Sequence, residues 1–363
     1  MNLQTLMPAF RALRAARQPL VLATVVETAG STYRKAGARM IITREGAFHG
    51  ILGGGCFEGD LVDRAQQVFA SGRPAIFYYD MRAPAEEIWG LGMGCNGAVR
   101  LWLERADPDN GYEPLATMAR WLETSGCAVL ATVVDSRHPG CAVGAQHFLP
   151  DDAALPESPE WLAAGCRQAR LAERSMLLRL GEEGEEVTVF FDRLRPPPHL
   201  LVLGAGADAV PVVNLARAMD WQVSVVDHRD AFAVPERFPA ADRVLPAAPE
   251  TLADKVRLPT VDAVVVMTHN IDVDERYLRE LASTNIGYIG LLGPAPRRDR
   301  LLAALGDDAD ALRGRVFGPV GLDLGARLPE EIALSIIAQV LAQLRGRSGG
   351  ALVDRPALEH ARS

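Results

Sequence analysis

Two hydrophobic rhythms run along this chain, and one gives way to the other near residue 195. In the first stretch, alternating and β-branched runs predict strands at 20–27, 39–43, 75–79, 98–104, 127–135 and 187–192. Apolar positions at helical spacing predict helices at about 58–71, 112–125 and 160–172. Leu3, Leu6, Met7, Phe10 and Leu13 add an amphipathic surface helix at the start. Such a mixture predicts an α+β first half. The second stretch alternates strand and helix: an apolar strand at 200–206 ends in glycines, a helix follows to about 219, and further strands fall at 222–227, 262–267 and 287–292. A last helix opens at Pro329, with Glu330 and Glu331 near the positive end of its dipole, and runs to Leu344. This order predicts a parallel sheet covered by helices on both faces.

Between the two rhythms stands Arg195-Pro196-Pro197-Pro198-His199. Three prolines cannot continue a helix or a central strand, so the segment reads as a stiff connection. The expected division is a first domain at 1–194, a linker at 195–199, a second domain at 200–345 and a flexible tail at 346–363. Within the first domain VLATVVE at 21–27 returns as VLATVVD at 129–135, 108 positions later. Six identical residues followed by an acid suggest an internal duplication in which two similar strands pair or pack symmetrically. Coincidence among common strand residues is the alternative.

Composition narrows the classes. With 48% hydrophobic and 23% charged residues in 363, the chain reads as a soluble protein large enough for two cores. A formal net charge of −8 without a concentrated basic face argues against nucleic acid as a partner. No apolar run approaches the roughly 18 residues of a membrane span, and Arg11 and Arg14 inside the first helix do not suit a secretory leader. A cytoplasmic protein without membrane insertion is expected. Cysteines at 56, 95, 127, 141 and 166 form neither a CxxC pair nor a disulfide framework, so reduced thiols are expected.

Candidate chemistry gathers where glycines do. In GILGGGCFEGD, Gly53, Gly54 and Gly55 can adopt backbone angles that turn successive N–H groups onto one anion. Cys56 follows near a helix start, where the dipole favours thiolate, and Glu58 is a candidate proton carrier or an ordinary first-turn acid. A second stretch, GLGMGCNGAV, frames Cys95 with Gly94 and Asn96 just before a strand. Two glycine-framed thiols are hard to attribute to packing and are expected to converge on one pocket; a glycine hairpin with a small buried cysteine is the plainer reading of either alone. GSTYRKAGARM contributes Ser31, Thr32, Arg34, Lys35 and Arg39 as donors for a phosphate or oxygen-rich group, although exposed hairpins carry such residues too. Cys127 and Cys166 read as core, and Cys141 is left open.

In the second domain GAGADA places Gly204, Gly206 and Ala209 in a G-x-G-x-x-A pattern between strand and helix, the fingerprint of a Rossmann-like fold. Asp227, 21 residues past Gly206, stands where an acid takes a ribose hydroxyl. Asp208 opposes nucleotide binding, because a carboxylate in the first helical turn repels a pyrophosphate; complementing the helix dipole is its simpler use. His269, after the strand at 262–267, should emerge at the carboxyl edge of the sheet with Asp272 and Asp274 nearby. One histidine without a spaced second ligand supports no metal site there.

Taken together, GSTYRKAGARM, GGGCFEGD and GMGCNGAV, followed by VLGAGADA, VVDHR, VMTHN, YIGLLGPAPRR and GPVGLDLGARLPEEIALSI, make the chain resemble the XdhC/CoxI family from about residue 20 to 344. The resemblance implies an N-terminal cofactor-binding domain, a C-terminal Rossmann-like domain, and the function of a molybdenum-cofactor chaperone. Such a protein binds a molybdopterin-type cofactor, protects its sulfido-bearing form and delivers it to an apo molybdenum hydroxylase such as xanthine dehydrogenase, with a cysteine desulfurase as candidate sulfur donor. It implies Cys56, Glu58 and Cys95 as leading site residues, the two thiols as molybdenum ligands, and no catalytic residue. Asn96 departs from the glycine frequent at its position, and Asp208 from the usual Rossmann turn. An NAD(P)-dependent oxidoreductase acting through Gly204, Gly206, Asp227 and His269 is the second reading, and a Cys56–Cys95 redox sensor the third. Self-association into a homo-oligomer is left open.

Overall fold

The computed structural model describes residues 3–55, 57–82, 97–124, 126–155, 159–182 and 184–351. They form two compact units, Met1–Pro196 and Pro197–Ser363. The α/β architecture expected from the two rhythms is found: antiparallel sheets in the first unit, a parallel sheet in the second.

The first unit opens with α1 (Leu3–Ala15), whose buried residues are the five apolar positions named above. Next come β1 (Leu20–Gly30), β2 (Arg39–Thr43), β3 (Phe48–His49), α2 (Glu58–Ser71), β4 (Ala75–Asp80) and β5 (Gly97–Ala106), giving a sheet in the order β3-β2-β1-β5-β4. After α3 (Leu115–Trp121) the plan recurs in β6 (Ala128–Ser136), β7 (Gln146–Pro150), α4 (Glu160–Ala172), β8 (Met176–Leu180) and β9 (Val187–Leu194), with the order β7-β6-β9-β8. The helix predicted at 112–125 is shorter because Tyr112 takes a left-handed conformation (φ 64°) and Pro114 stands at the helix start.

The repeated heptapeptides do not pair with each other. Each is a central strand of its own sheet, and the match extends to the irregularities. β1 slips against β5 between Val25 and Glu27, and β6 slips against β9 between Val133 and Asp135. Val25 N–H donates to the carbonyl of Ala38 as Val133 N–H donates to that of Ala145, and the N–H groups of Gly37 and Gly144 donate back to the same two valines. Side chains alternate across a strand, so Val21, Ala23 and Val25 pack beneath α2 while Val129, Ala131 and Val133 pack beneath α4. The opposite faces meet: Leu20 and Leu22 share a cluster with Ala128 and Leu130, and the bulge residues Val26 and Val134 join Trp102 and Phe190. The unit is therefore layered helix, sheet, sheet, helix, with a seam between the repeats.

The second unit runs β10 (His199–Leu203), α5 (Ala209–Ala218), β11 (Gln222–Asp227), β12 (Arg243–Pro246), α6 (Leu252–Lys255), β13 (Ala263–Val266), α7 (Ile271–Ala282), β14 (Tyr288–Leu291), α8 (Ala295–Leu305), α9 (Asp308–Leu312), β15 (Val316–Phe317) and α10 (Pro329–Leu344). Its strands are parallel in the order β12-β11-β10-β13-β14-β15. β10, β13 and β14 are buried along their whole length, as unbroken apolar runs covered on both faces should be. The edge strands β12 and β15 have only four and two residues, too few for a period to show, which is why periodicity missed them. Strand order reverses between β10 and β13, so the loops after them flank the switch point where open α/β sheets bind ligands. Among the described residues, no helix is long and apolar enough to cross a membrane.

Candidate functional site

The glycine turn ahead of α2 does build a ring of backbone donors, but the chain itself supplies the anion. Glu58 Oε1 accepts from the N–H groups of Leu52 (3.0 Å) and Gly53 (2.7 Å), and Oε2 from those of Gly55 (3.0 Å) and Phe57 (3.3 Å). Its side chain is buried. Both expectations for this turn change as a result. These N–H groups are not free for an outside phosphate, and the Glu58 carboxylate is occupied as a four-fold acceptor rather than poised to carry protons. Glycine is demanded here by shape as well: the ring of Phe57 lies where a side chain on Gly53 would go, and Gly54 and Gly55 have φ of 70° and 98°. Phe57 in turn stacks on Tyr79 with ring centroids 4.8 Å apart, and Tyr79 donates its hydroxyl to Asp60 at 2.6 Å.

The loop after β1 lies against this turn. The ring of Tyr33 covers Gly54, and Arg34 Nε donates to the Ile51 carbonyl at 3.3 Å while its guanidinium sits 5.3 Å from the Tyr33 ring. On its other side the same loop meets Gly97, the first residue of β5: a side chain there would collide with the carbonyl of Ser31 and the methyl of Thr32. Ser31 and Lys35 are exposed and Arg34 half-buried. Residues 31–34 thus sit between the turn that leads into position 56 and the strand that follows position 95. Cys56, Gly94, Cys95 and Asn96 themselves lie outside the described residues, the two candidate metal ligands among them.

Arg39 does not belong to that loop's open surface. It is buried in the seam, where its guanidinium is committed to Asp192 of the other repeat and donates to the Gly37 carbonyl at 2.9 Å. The expectation of a free anion donor fails because β2 turns this side chain inward. The mirrored positions pair as well. Gln146 occupies in β7 the register place of Arg39, Glu104 occupies in β5 that of Asp192, and Gln146 Nε2 donates to Glu104 at 2.7 Å. Enclosure between the sheets pushes the Glu104 carboxyl up to about 8. These residues went unnoticed in the sequence, although aligning the repeats would have placed them opposite each other. Beside the bulges lies a hollow of about 360 Å³ lined by Glu27, Arg100, Asp135, Arg137, Arg179 and Glu186. Arg100 pairs with Glu27 at 3.3 Å and Arg179 with Glu186 at 2.8 Å, so its charges largely cancel.

Cys127 and Cys141 are half-buried, and burial pushes the Cys166 thiol up to about 11, as befits a core cysteine of α4. Among the described residues no cluster of histidine, cysteine, aspartate and glutamate could hold a metal ion.

In the second unit the turn Gly204-Ala205-Gly206 is as sharp as the fingerprint requires. Gly204 has φ of 123°, and a side chain there would strike the Met267 carbonyl. Asp227, however, is fully buried. It accepts from Ala205 N–H at 2.7 Å and from the backbone and guanidinium of Arg229 at 2.9 Å. Burial alone would raise its carboxyl, but the Arg229 and Ala205 hydrogen bonds prevail and hold it below its ordinary range. An acid so engaged has no open oxygen for a ribose hydroxyl, so its expected role is corrected to bracing the turn. His269 (φ 61°) does emerge at the carboxyl edge, and its Nε2 lies 2.8 Å from Asp208 Oδ2. Asp274 is buried instead between Thr268 and Arg297, at 2.5 and 2.6 Å.

An antiparallel duplicated unit bearing a plugged glycine turn, followed by a parallel-sheet Rossmann unit, defines a two-domain α/β protein. Two family models match it: one described as the XdhC and CoxI family over residues 13–80, the other as the XdhC Rossmann domain over residues 200–340. The chain is 34% identical over 333 residues to a Bacillus subtilis (strain 168) protein named as a probable subunit of xanthine dehydrogenase, covering 91% of this chain and 94% of that one. It is 23% identical over 323 residues to the molybdenum cofactor insertion chaperone PaoD of Escherichia coli K12, with 88% and 82% coverage. A crystal structure described as a xanthine dehydrogenase from Bacillus halodurans superposes with a TM-score of 0.76 at 29% identity, covering 98% of each chain. The chain belongs to the XdhC and CoxI family.

Proposed function

We propose that this protein is a molybdenum-cofactor chaperone: it takes up a molybdopterin-type cofactor as cargo, shields its sulfido-bearing form and passes it to an apo molybdenum hydroxylase, with a cysteine desulfurase supplying sulfur. Membership of the XdhC and CoxI family, together with similarity to a protein named as an insertion chaperone, is the general support. The observation that carries the reading further is the position of residues 31–34, packed against Gly54 on one side and Gly97 on the other. The described flanks of both glycine-cysteine elements, Gly54 and Gly97, thereby meet one loop, which suits two thiols serving one thiophilic metal. Ser31, Arg34 and Lys35 border that loop as donors for the cargo's phosphate, since the N–H groups of the turn are taken by Glu58. Glu58 then acts as a positioning residue that keeps the turn rigid before and after position 56.

Freshly isolated protein should carry molybdenum and a fluorescent pterin in equal amounts and should activate an apo-hydroxylase. Cys56→Ala and Cys95→Ala should each lose the metal while keeping the fold. Retention of metal and transfer by both variants would remove the thiols from the site, and absence of any pterin from the wild type and from a reconstitution with free cofactor would end the reading itself. The oxidoreductase alternative is disfavoured by the engagement of Asp227 with Ala205 and Arg229.

A further inference from the structure

The loop after β13 is built to hold one residue out over the switch point. Thr268 is tied down through its hydroxyl to Asp274, and Asn270 caps α7 by accepting from the N–H groups of Asp272 and Val273. Between these two fixed neighbours His269 is forced into the left-handed region, which a side chain other than glycine adopts only when its surroundings impose it. Its imidazole remains 60% exposed and reaches across to the loop after β10, where Nε2 meets Asp208. Asp208 stands at the start of α5, yet its carboxylate makes no capping hydrogen bond to that helix. It lies instead over Gly206, where even a methyl group on the glycine would strike Oδ1, with the imidazole next to it.

In a dinucleotide-binding Rossmann fold the space above this second glycine belongs to the pyrophosphate. Here it holds a carboxylate, steered there by a histidine from the neighbouring strand. We propose that Asp208, held over Gly206 by His269, is a specificity element that excludes diphosphate-bearing nucleotides from the second unit, so that the Rossmann turn of this chain is closed to NAD(P) by charge. A negative group within a few ångströms of a pyrophosphate repels it over the same range in which the positive end of a helix dipole attracts it. An uncharged side chain at this partly exposed position can swing aside for a pyrophosphate or donate to it, so neutralising Asp208 should open the site.

The test is calorimetric titration of the full chain with NAD⁺, NADP⁺ and ADP-ribose. The wild type should give no saturable heat up to about 1 mM. Asp208→Asn, which keeps the shape and removes the charge, should bind at least one of the three at least tenfold more tightly, and Asp208→Ser should follow it. His269→Ala, which frees the carboxylate without removing its charge, should gain less than Asp208→Asn. Circular dichroism establishes that each variant is folded, and the serine variant carries the test if the asparagine variant is not. Three results would overturn the proposal: wild-type affinity within twofold of Asp208→Asn, no gain in either folded Asp208 variant, or a gain in His269→Ala equal to that in Asp208→Asn.

Discussion

The two glycine turns of this protein, at 52–57 and 204–206, look alike in sequence and reach the same end by different means. In the first unit the anion comes from six residues away at most: Glu58 folds back and takes four N–H groups of its own turn. In the second the bracing is long-range: Asp227 holds Ala205 from 22 residues on, and Asp208, local to the turn, lies over Gly206 paired with His269, 61 residues away. A glycine-rich turn thus signals that an anion is bound, without saying whose. The first turn is a local device that can form as soon as its helix does. The second exists only when the parallel sheet has assembled.

The largest expected effect tests the first turn. Glu58→Ala leaves four backbone donors without their acceptor, at a cost of about 3–4 kcal/mol, and Glu58→Gln should cost about half as much. Hydrogen exchange over 50–60 measures the loss. Sulfate should restore protection in Glu58→Ala and do nothing for the wild type; equal protection of both would mean that the turn is not filled by its own acid. Next in size is a contrast between glycines. Gly204→Ala meets the Met267 carbonyl and should destabilise the second unit by about 2–4 kcal/mol. Gly55→Ala has open space around its new methyl group and only the cost of a positive φ, about 1 kcal/mol.

The units should also separate on pH. Glu104 in the first unit has a folded-state pKa of about 8, well above its ordinary 4.5, so the neutral form favours folding. Its contribution is complete below about pH 4.5, declines as pH rises towards 8 and is flat beyond, an effect on the order of a few kcal/mol. Glu104→Gln should flatten that decline in urea titrations; an unchanged slope would show that the carboxyl is not what titrates. Asp227 has the opposite sign: its pKa is lowered, so its stabilisation of the second unit is present above the ordinary aspartate range and lost as the solution becomes more acidic than that. The smallest effect is expected of His269→Ala, whose exposed pairing with Asp208 should change stability by less than about 0.5 kcal/mol. A larger loss would make that pair a structural brace.

Much of the fold was legible because its signals are short-range. The unbroken apolar run of β10 announced a strand covered on both faces, and the recurring β-branched heptapeptide announced β1 and β6. The duplicated architecture could be suspected from that heptapeptide, whereas β7 and β8, equally part of it, carry no comparable alternation. In the candidate site, the closeness of residues 31–34 to the glycine turn was within reach of sequence reasoning. The inward turn of Arg39 was not, because its partner Asp192 is 153 residues away.

The amino-acid sequence by itself determined where backbone can bend and where it must pack: glycines at 53–55 and 204, prolines at 196–198, and the alternation that gives each strand a buried face. Only the tertiary structure decided which charge answers which. Glu58 became a plug, Arg39 a rivet between repeats and Asp227 a brace because a hydrogen bond or ion pair depends on distance and direction in space, and these are set when distant strands come to lie side by side.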